Sequence, residues 1–170
     1  FATGFDGASS LAVSDAVIGS TSAQGVLVQS WSAAGGAATL TDCTINSAEH
    51  GVHLVGLTGI AATMTNVAAT STGASSFGVK IATVSAGSNI AMTKVDATSS
   101  NKKGMEINGI TGSAVSIGGT STIVGATNGL HAYTFASSSL TIAFTTISGG
   151  TGAGLFSETF DGASSLAVSD

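Results

Sequence analysis

The residues able to do chemistry in this chain are sparse. Residues 1–155 hold the carboxylates Asp6, Asp15, Asp42, Glu49, Asp96 and Glu106 and four lysines, a net charge of −2, and no arginine. Glycoside hydrolysis needs two carboxyl groups facing one another across a cleft, and these six are scattered. No spacing brings a serine, a histidine and a carboxylate into evident register for nucleophilic catalysis. Two sets of residues do recur at matching intervals. The first is Asp15, Asp42, Asn66, Lys94, Gly119 and Phe144. If each interval is one turn of a coil, Asp15 and Asp42 stand about 5 Å apart with Asn66 next. Two carboxylates that close repel, and a hard cation relieves them, so Asp15, Asp42 and Asn66 form a candidate calcium site. In the alternative, these are exposed corner side chains, with Asp42 and Asn66 bonding turn backbone.

The second set is Leu27, His53, Lys80, Glu106, His131 and Phe156. Lys80 above Glu106 makes a cross-strand ion pair, worth a few tenths of a kcal/mol if exposed. His53 and His131 lie three coils apart, roughly 14 Å, too far to share one metal ion, and read as surface histidines. The single Cys43 cannot close a disulfide within the chain. It reads as a small core residue, with a cross-link between neighbouring rods as the alternative.

Both sets depend on a repeat, and the repeat is explicit. A glycine followed by an apolar–variable–apolar triplet occurs at Gly25, Gly51, Gly78, Gly104, Gly129 and Gly154, with spacings of 26, 27, 26, 25 and 25 residues. A longer period contains it. FDGASSLAVSD stands at Phe5–Asp15 and again at Phe160–Asp170, an offset of 155 residues. Phe1 matches Phe156, while Ala2, Thr3 and Gly4 face Ser157, Glu158 and Thr159. Advancing Gly25 by 155 leaves a last spacing of 26, so six coils of 25–27 residues close the longer period without remainder. Residues 1–155 therefore read as one tandem unit, and 156–170 as the start of the next within the same solenoid.

Within each coil the apolar pattern has period two, the signature of strands. A first strand turns inward Val26/Val28, Val52/Leu54, Val79/Ile81, Met105/Ile107 and Leu130/Ala132, followed three positions on by Trp31, Leu57, Val84, Ile110, Phe135 and Phe160. A second repeats the alternation at Ala38/Leu40, Ala62/Met64, Ile90/Met92, Val115/Ile117, Leu140/Ile142 and Leu166/Val168. A weaker third carries Ile18, Cys43/Ile45, Val67/Ala69, Val95/Ala97 and Thr145/Ile147. Three short strands per coil predict a triangular prism whose stacked coils bury like on like. The leading glycine suits a corner that needs positive φ or close backbone approach. The absence of proline fits a ladder with few edges.

The phrase LTDCTINSAEHGVHLVG resembles the coil of pectin-lyase-like right-handed parallel β-helix proteins, which include polysaccharide lyases, phage tailspikes and bacterial surface adhesins. The resemblance covers the chain. It implies a right-handed all-β solenoid and leaves activity open, because this fold hosts enzymes, binders and stalks alike.

Composition narrows the functional classes. A near-neutral surface without arginine gives no electrostatic reason to expect nucleic acid or an anionic membrane. No run of 18 apolar residues exists to span a bilayer. The chain begins at Phe1 without an initiator methionine or a signal-peptide pattern, and so reads as a window from a longer precursor. The expected function is a non-enzymatic structural repeat of an extracellular or cell-surface filament. Its partner is itself, end to end and side by side through flat Thr/Ala/Ser faces, and it needs no cofactor beyond the candidate calcium. The alternative is an adhesin or tailspike-like rod that binds glycans, with Trp31, Tyr133 and Phe156 as aromatic platforms, of which Trp31 fits better at an inner corner.

Overall fold

A computed structural model describes residues 2–3 and 8–170; Phe1, Gly4, Phe5 and Asp6 of the sequence analysis lie outside the described residues. The chain is all-β, a parallel β-solenoid of about 6 turns. Its strands are β1 (Ala2–Thr3), β2 (Ser10–Ser14), β3 (Val17–Ser20), β4 (Val26–Ser47), β5 (Val52–Ser71), β6 (Val79–Ser85), β7 (Asn89–Ser99) and β8 (Met105–Thr111). They continue with β9 (Ala114–Gly118), β10 (Ser121–Gly125), β11 (Leu130–Ala136), β12 (Ser139–Ala143), β13 (Thr145–Gly149), β14 (Leu155–Asp161) and β15 (Ser165–Ser169). β4 and β5 each run through all three faces of a coil, because the corners bend the backbone without breaking its ladder.

Every strand pairs in parallel with the coil above or below. The first face stacks in the register Val26, Val52, Val79, Met105, Leu130, Leu155. The second stacks Leu11, Ala38, Ala62, Ile90, Val115, Leu140, Leu166. The third stacks Ile18, Ile45, Ala69, Ala97, Ile123, Ile147. The inward columns read from sequence are the core, fully buried from Val28 to Ile142. Trp31 lies inside, under Leu57, and Phe135 stacks on Phe160 with ring centroids 4.5 Å apart.

The third face gains one member that the sequence pattern passed over. β10 puts Ile123 inside between Ala97 and Ile147. The corner before β10 is one residue longer, through Gly119 and Thr120, both at positive φ, and this shift hid the alternation.

Corners are made by residues in the left-handed region, stacked in columns. At the corner after the second face stand Asp15, Asp42, Asn66, Lys94 and Phe144, with φ between 48° and 54°, and Gly119 at 65°. A second column, Ser30, Gly56, Thr83, Gly109, Thr134 and Thr159, sits inside the first face. One left-handed residue there rotates the chain so that the next inward side chain comes three positions on, which is the Val28-to-Trp31 spacing. Each such non-glycine residue costs about 1–2 kcal/mol, and asparagine and aspartate tolerate it best. Neighbouring coils share the same bend and keep their ladder bonds.

The coil-start glycines do a different job. None of Gly25, Gly51, Gly78, Gly104, Gly129 and Gly154 has positive φ. They are needed for close approach. A Cβ on Gly51 would lie 2.5 Å from the Gly78 carbonyl oxygen, and one on Gly78 would lie 2.5 Å from the Thr98 nitrogen and 2.8 Å from the Gly104 carbonyl oxygen. Serines close the corner between the first and second faces. The Ser113 amide donates to Ser138 Oγ and the Ser138 amide to Ser164 Oγ, both at 3.2 Å, while Ser138 Oγ donates back to the Ala136 carbonyl.

Candidate functional site

The three outer faces differ in chemistry. On the second face the outward residues are small and uncharged, such as Thr39/Thr41, Thr63/Thr65 and Ser116/Gly118. The first face carries the charge and the aromatic rings. Its central outward column stacks Leu27, His53, Lys80, Glu106, His131 and Phe156, as the spacing predicts. Two residues along runs a second column that includes Asn108, Tyr133 and Glu158. A third comes from the residue before each coil-start glycine: Gln24, His50, Phe77, Lys103, Asn128 and Ala153. Of these, His50, Phe77 and Lys103 fold back over the face.

That third column changes the standing of the histidines. They are not free surface residues. His131 is only 9% exposed and Glu106 5%. Lys103 Nζ donates to Glu106 Oε2 at 2.8 Å and to His131 Nδ1. His131 therefore keeps its proton on Nε2 and donates it to Glu158 Oε1 at 3.0 Å. Lys80 faces the other Glu106 oxygen at 3.8 Å, so the expected Lys80–Glu106 pair is present but is the longer of two. The rings complete the array. His131 stacks against Tyr133 at 4.4 Å and touches Phe156 at 4.9 Å, Asn108 Nδ2 donates to the Tyr133 hydroxyl at 2.7 Å, and Lys103 Nζ lies 5.7 Å from the Tyr133 ring centre.

At the lower end of the face His50 stacks on Phe77 at 5.0 Å and meets His53 edge-on at 4.9 Å. Burial, then the charge of neighbouring groups, holds both imidazoles neutral, with pKa values lowered from 6.5 to about 4; for His50 the neighbours that lower it are His53 and Lys80, for His53 Lys80, and Glu106 partly offsets each. The Phe77 amide donates to His50 Nδ1 at 3.2 Å. This fixes the proton on His50 Nε2 and takes that nitrogen away from any metal.

The corner column is placed as the sequence set it. Asp15, Asp42 and Asn66 stand on successive coils. The Asn66 amide donates to Asp42 Oδ1 at 2.5 Å, on the exposed side of the corner, so Asn66 answers the Asp42 charge with a side-chain donor. Among the described residues no group of three His, Cys, Asp or Glu side chains comes together to hold a metal. Cys43 is buried, its thiol directed to the Thr41 carbonyl at 3.2 Å, which makes it a core residue and takes it out of reach of a neighbouring rod. A concavity of about 420 Å³ at the serine corner is lined by Gly, Ser, Ala and Asn, with no titratable group.

Comparison with known protein families, with characterised proteins and with solved structures returns no match. What the chain does must be argued from its own geometry. Sequence reasoning found the central column of the first face and missed Lys103, His50 and Phe77. Each stands one residue ahead of a coil-start glycine, outside the alternation of the strands.

Proposed function

We propose that this chain is a structural segment of an extracellular or cell-surface filament, a rod lengthened by repetition of the 155-residue period. One observation carries the reading. The sequence SLAVS occurs as β2 and again as β15. As β2 it pairs with the coil that follows it, Ser10–Ser14 against Ala37–Thr41. As β15 it pairs with the coil that precedes it, Ser165–Ser169 against Ser139–Ala143. The two pairings use opposite edges of one sequence, so laying one copy on the other gives an unbroken column. Each period then adds roughly 29 Å, from six coils at about 4.8 Å. The rod is read as non-catalytic: Lys103 and Glu106, the central acid–base pair of the decorated face, are committed to one another.

A chain carrying residues 1–155 twice before residues 156–170 tests this. Small-angle scattering is expected to show the long axis growing by about 29 Å with an unchanged cross-section. Two separately tumbling bodies, or one thicker globule, would defeat the proposal.

The decorated first face favours a second reading, a rod that binds glycans. Tyr133 and Phe156, the latter 42% exposed, flank His131 beside Asn108 and Glu158, an aromatic platform edged by hydrogen-bonding groups. A glycan array probed with the parent and with Tyr133→Ala decides it: captured sugars released by the substitution support binding, and a parent that captures nothing removes it.

A further inference from the structure

Among the described residues Val17 and Phe144 are the most exposed of the large apolar side chains that point outward. Val17 is 84% exposed at the low end of the solenoid and Phe144 is 64% exposed at the high end. Inside this chain they are far apart. Each is a single apolar residue, but the repeat brings the two kinds together at one place.

Phe144 occupies the left-handed corner of its coil, directly in register with the position of Asp15 and Asp170, since Ala143 pairs with Ser169 and the Phe144 amide donates to the Ser169 carbonyl at 3.2 Å. Two residues beyond Asp15 stands Val17, which in this chain pairs upward with Thr44. A following period therefore sets its Val17 over Thr146, one coil above Phe144 and two residues along. One coil up, about 4.8 Å, and two residues along, at most about 6.6 Å, puts the two Cα atoms roughly 7–8 Å apart, within reach of an aromatic side chain. Both side chains point outward, Phe144 from the corner and Val17 as the alternate of inward-packed Ile18.

We propose that Phe144 and the Val17 of the following period pack against one another, an apolar clasp on the outside of the rod at every period boundary. The partner is a second copy of this chain's own repeat. The inference rests on the tandem reading above and adds to it that the boundary is held outside the core as well as through it. The clasp recurs once per period because the other members of the two columns are smaller or polar: Asp42, Asn66, Lys94 and Gly119 at the corner, Thr44, Ala68, Asp96 and Thr122 beyond it.

The doubled chain contains its own control. Its first Phe144 has a following Val17, and its second has none. Phe144→Ser in the first period is expected to lower the thermal midpoint by about 2 °C or more beyond whatever the same substitution does in the second period, backbone effects at the left-handed corner being common to both. Combining the first-period change with Val17→Thr in the second period is expected to cost less than the two single losses together. Equal effects of Phe144→Ser in both periods of a doubled chain that scatters as one long rod overturn the clasp and leave the tandem reading standing. A doubled chain that does not scatter as a single rod overturns both.

Discussion

The smallest decisive feature is the missing side chain at the start of each coil. A Cβ on Gly78 meets the backbone of Ala97 and Thr98 and the carbonyl oxygen of Gly104, and backbone cannot swing aside as a side chain can. Gly78→Ala is therefore expected to cost roughly 1–3 kcal/mol, the range for forcing a methyl group into a packed site. Gly19→Ala, where an added Cβ meets nothing within 4 Å, is expected to be near neutral. Urea unfolding of the two variants checks the contrast, and equal midpoints would show that the coils have slack at their corners. The paired histidines give a residue-scale pH effect. With His50 and His53 lowered to about 4 in the fold against 6.5 unfolded, the unfolded chain binds more protons between those values. Stability is then fully present above pH 6.5 and is lost as pH falls toward 4. The thermal midpoint of the parent should decline more steeply over that window than that of His50→Gln/His53→Gln, in which Lys80 and Glu106 remain. Parallel curves would refute the assignment.

At the scale of one element, the first face is tied together by Lys103 reaching back from a turn. Removing it leaves Glu106, nearly buried, with Lys80 at 3.8 Å as its remaining ion-pair partner. Lys103→Met is expected to cost about 2 kcal/mol, the penalty of a buried charge that loses its hydrogen-bond partner. Lys103→Met/Glu106→Gln should recover part of the loss, because the uncompensated charge is gone. Lys102→Met, one residue away and exposed, serves as the neutral control in denaturant titration, and a loss equal to that of Lys103→Met would remove the network from the account. This element also marks the limit of what the sequence makes legible. Strand positions reveal themselves through alternation, so the core columns and Lys80, Glu106, His131 and Phe156 could be stacked from spacing alone. Turn residues carry no period-two signal, and nothing in the types of His50, Phe77 and Lys103 announces that they bend over the neighbouring strand. The left-handed columns were masked for a related reason. Thr83, Thr134 and Ser30 are poor residues for that conformation, and only their shared position in successive coils reveals it. The Asp15–Asp42–Asn66 stack was placed by spacing, while the hydrogen bond by which Asn66 answers Asp42 depends on rotamers that spacing does not encode.

For the whole molecule, a stack in which each coil touches only its neighbours has stability that is close to a sum over coils and interfaces, with the ends weakest. SLAVS turns this into a measurement. As β2 and as β15 it is paired on one side, and at the boundary inside a doubled chain it would be paired on both. Its residues are the same at all three places, so unprotected amide exchange is nearly the same, and differences in observed rate report the neighbours. In the doubled chain, hydrogen exchange is expected to be fast in the first and last copies of SLAVS and as slow in the junction copy as in β7 and β9, which have coils above and below. The expected contrast is large, because an amide in a doubly stacked strand exchanges only when the column opens, while one in an end coil is released by fraying of that coil alone. A junction copy that exchanges as fast as the ends would mean that consecutive periods fold as separate prisms joined by a hinge, and a hinged chain is not a filament.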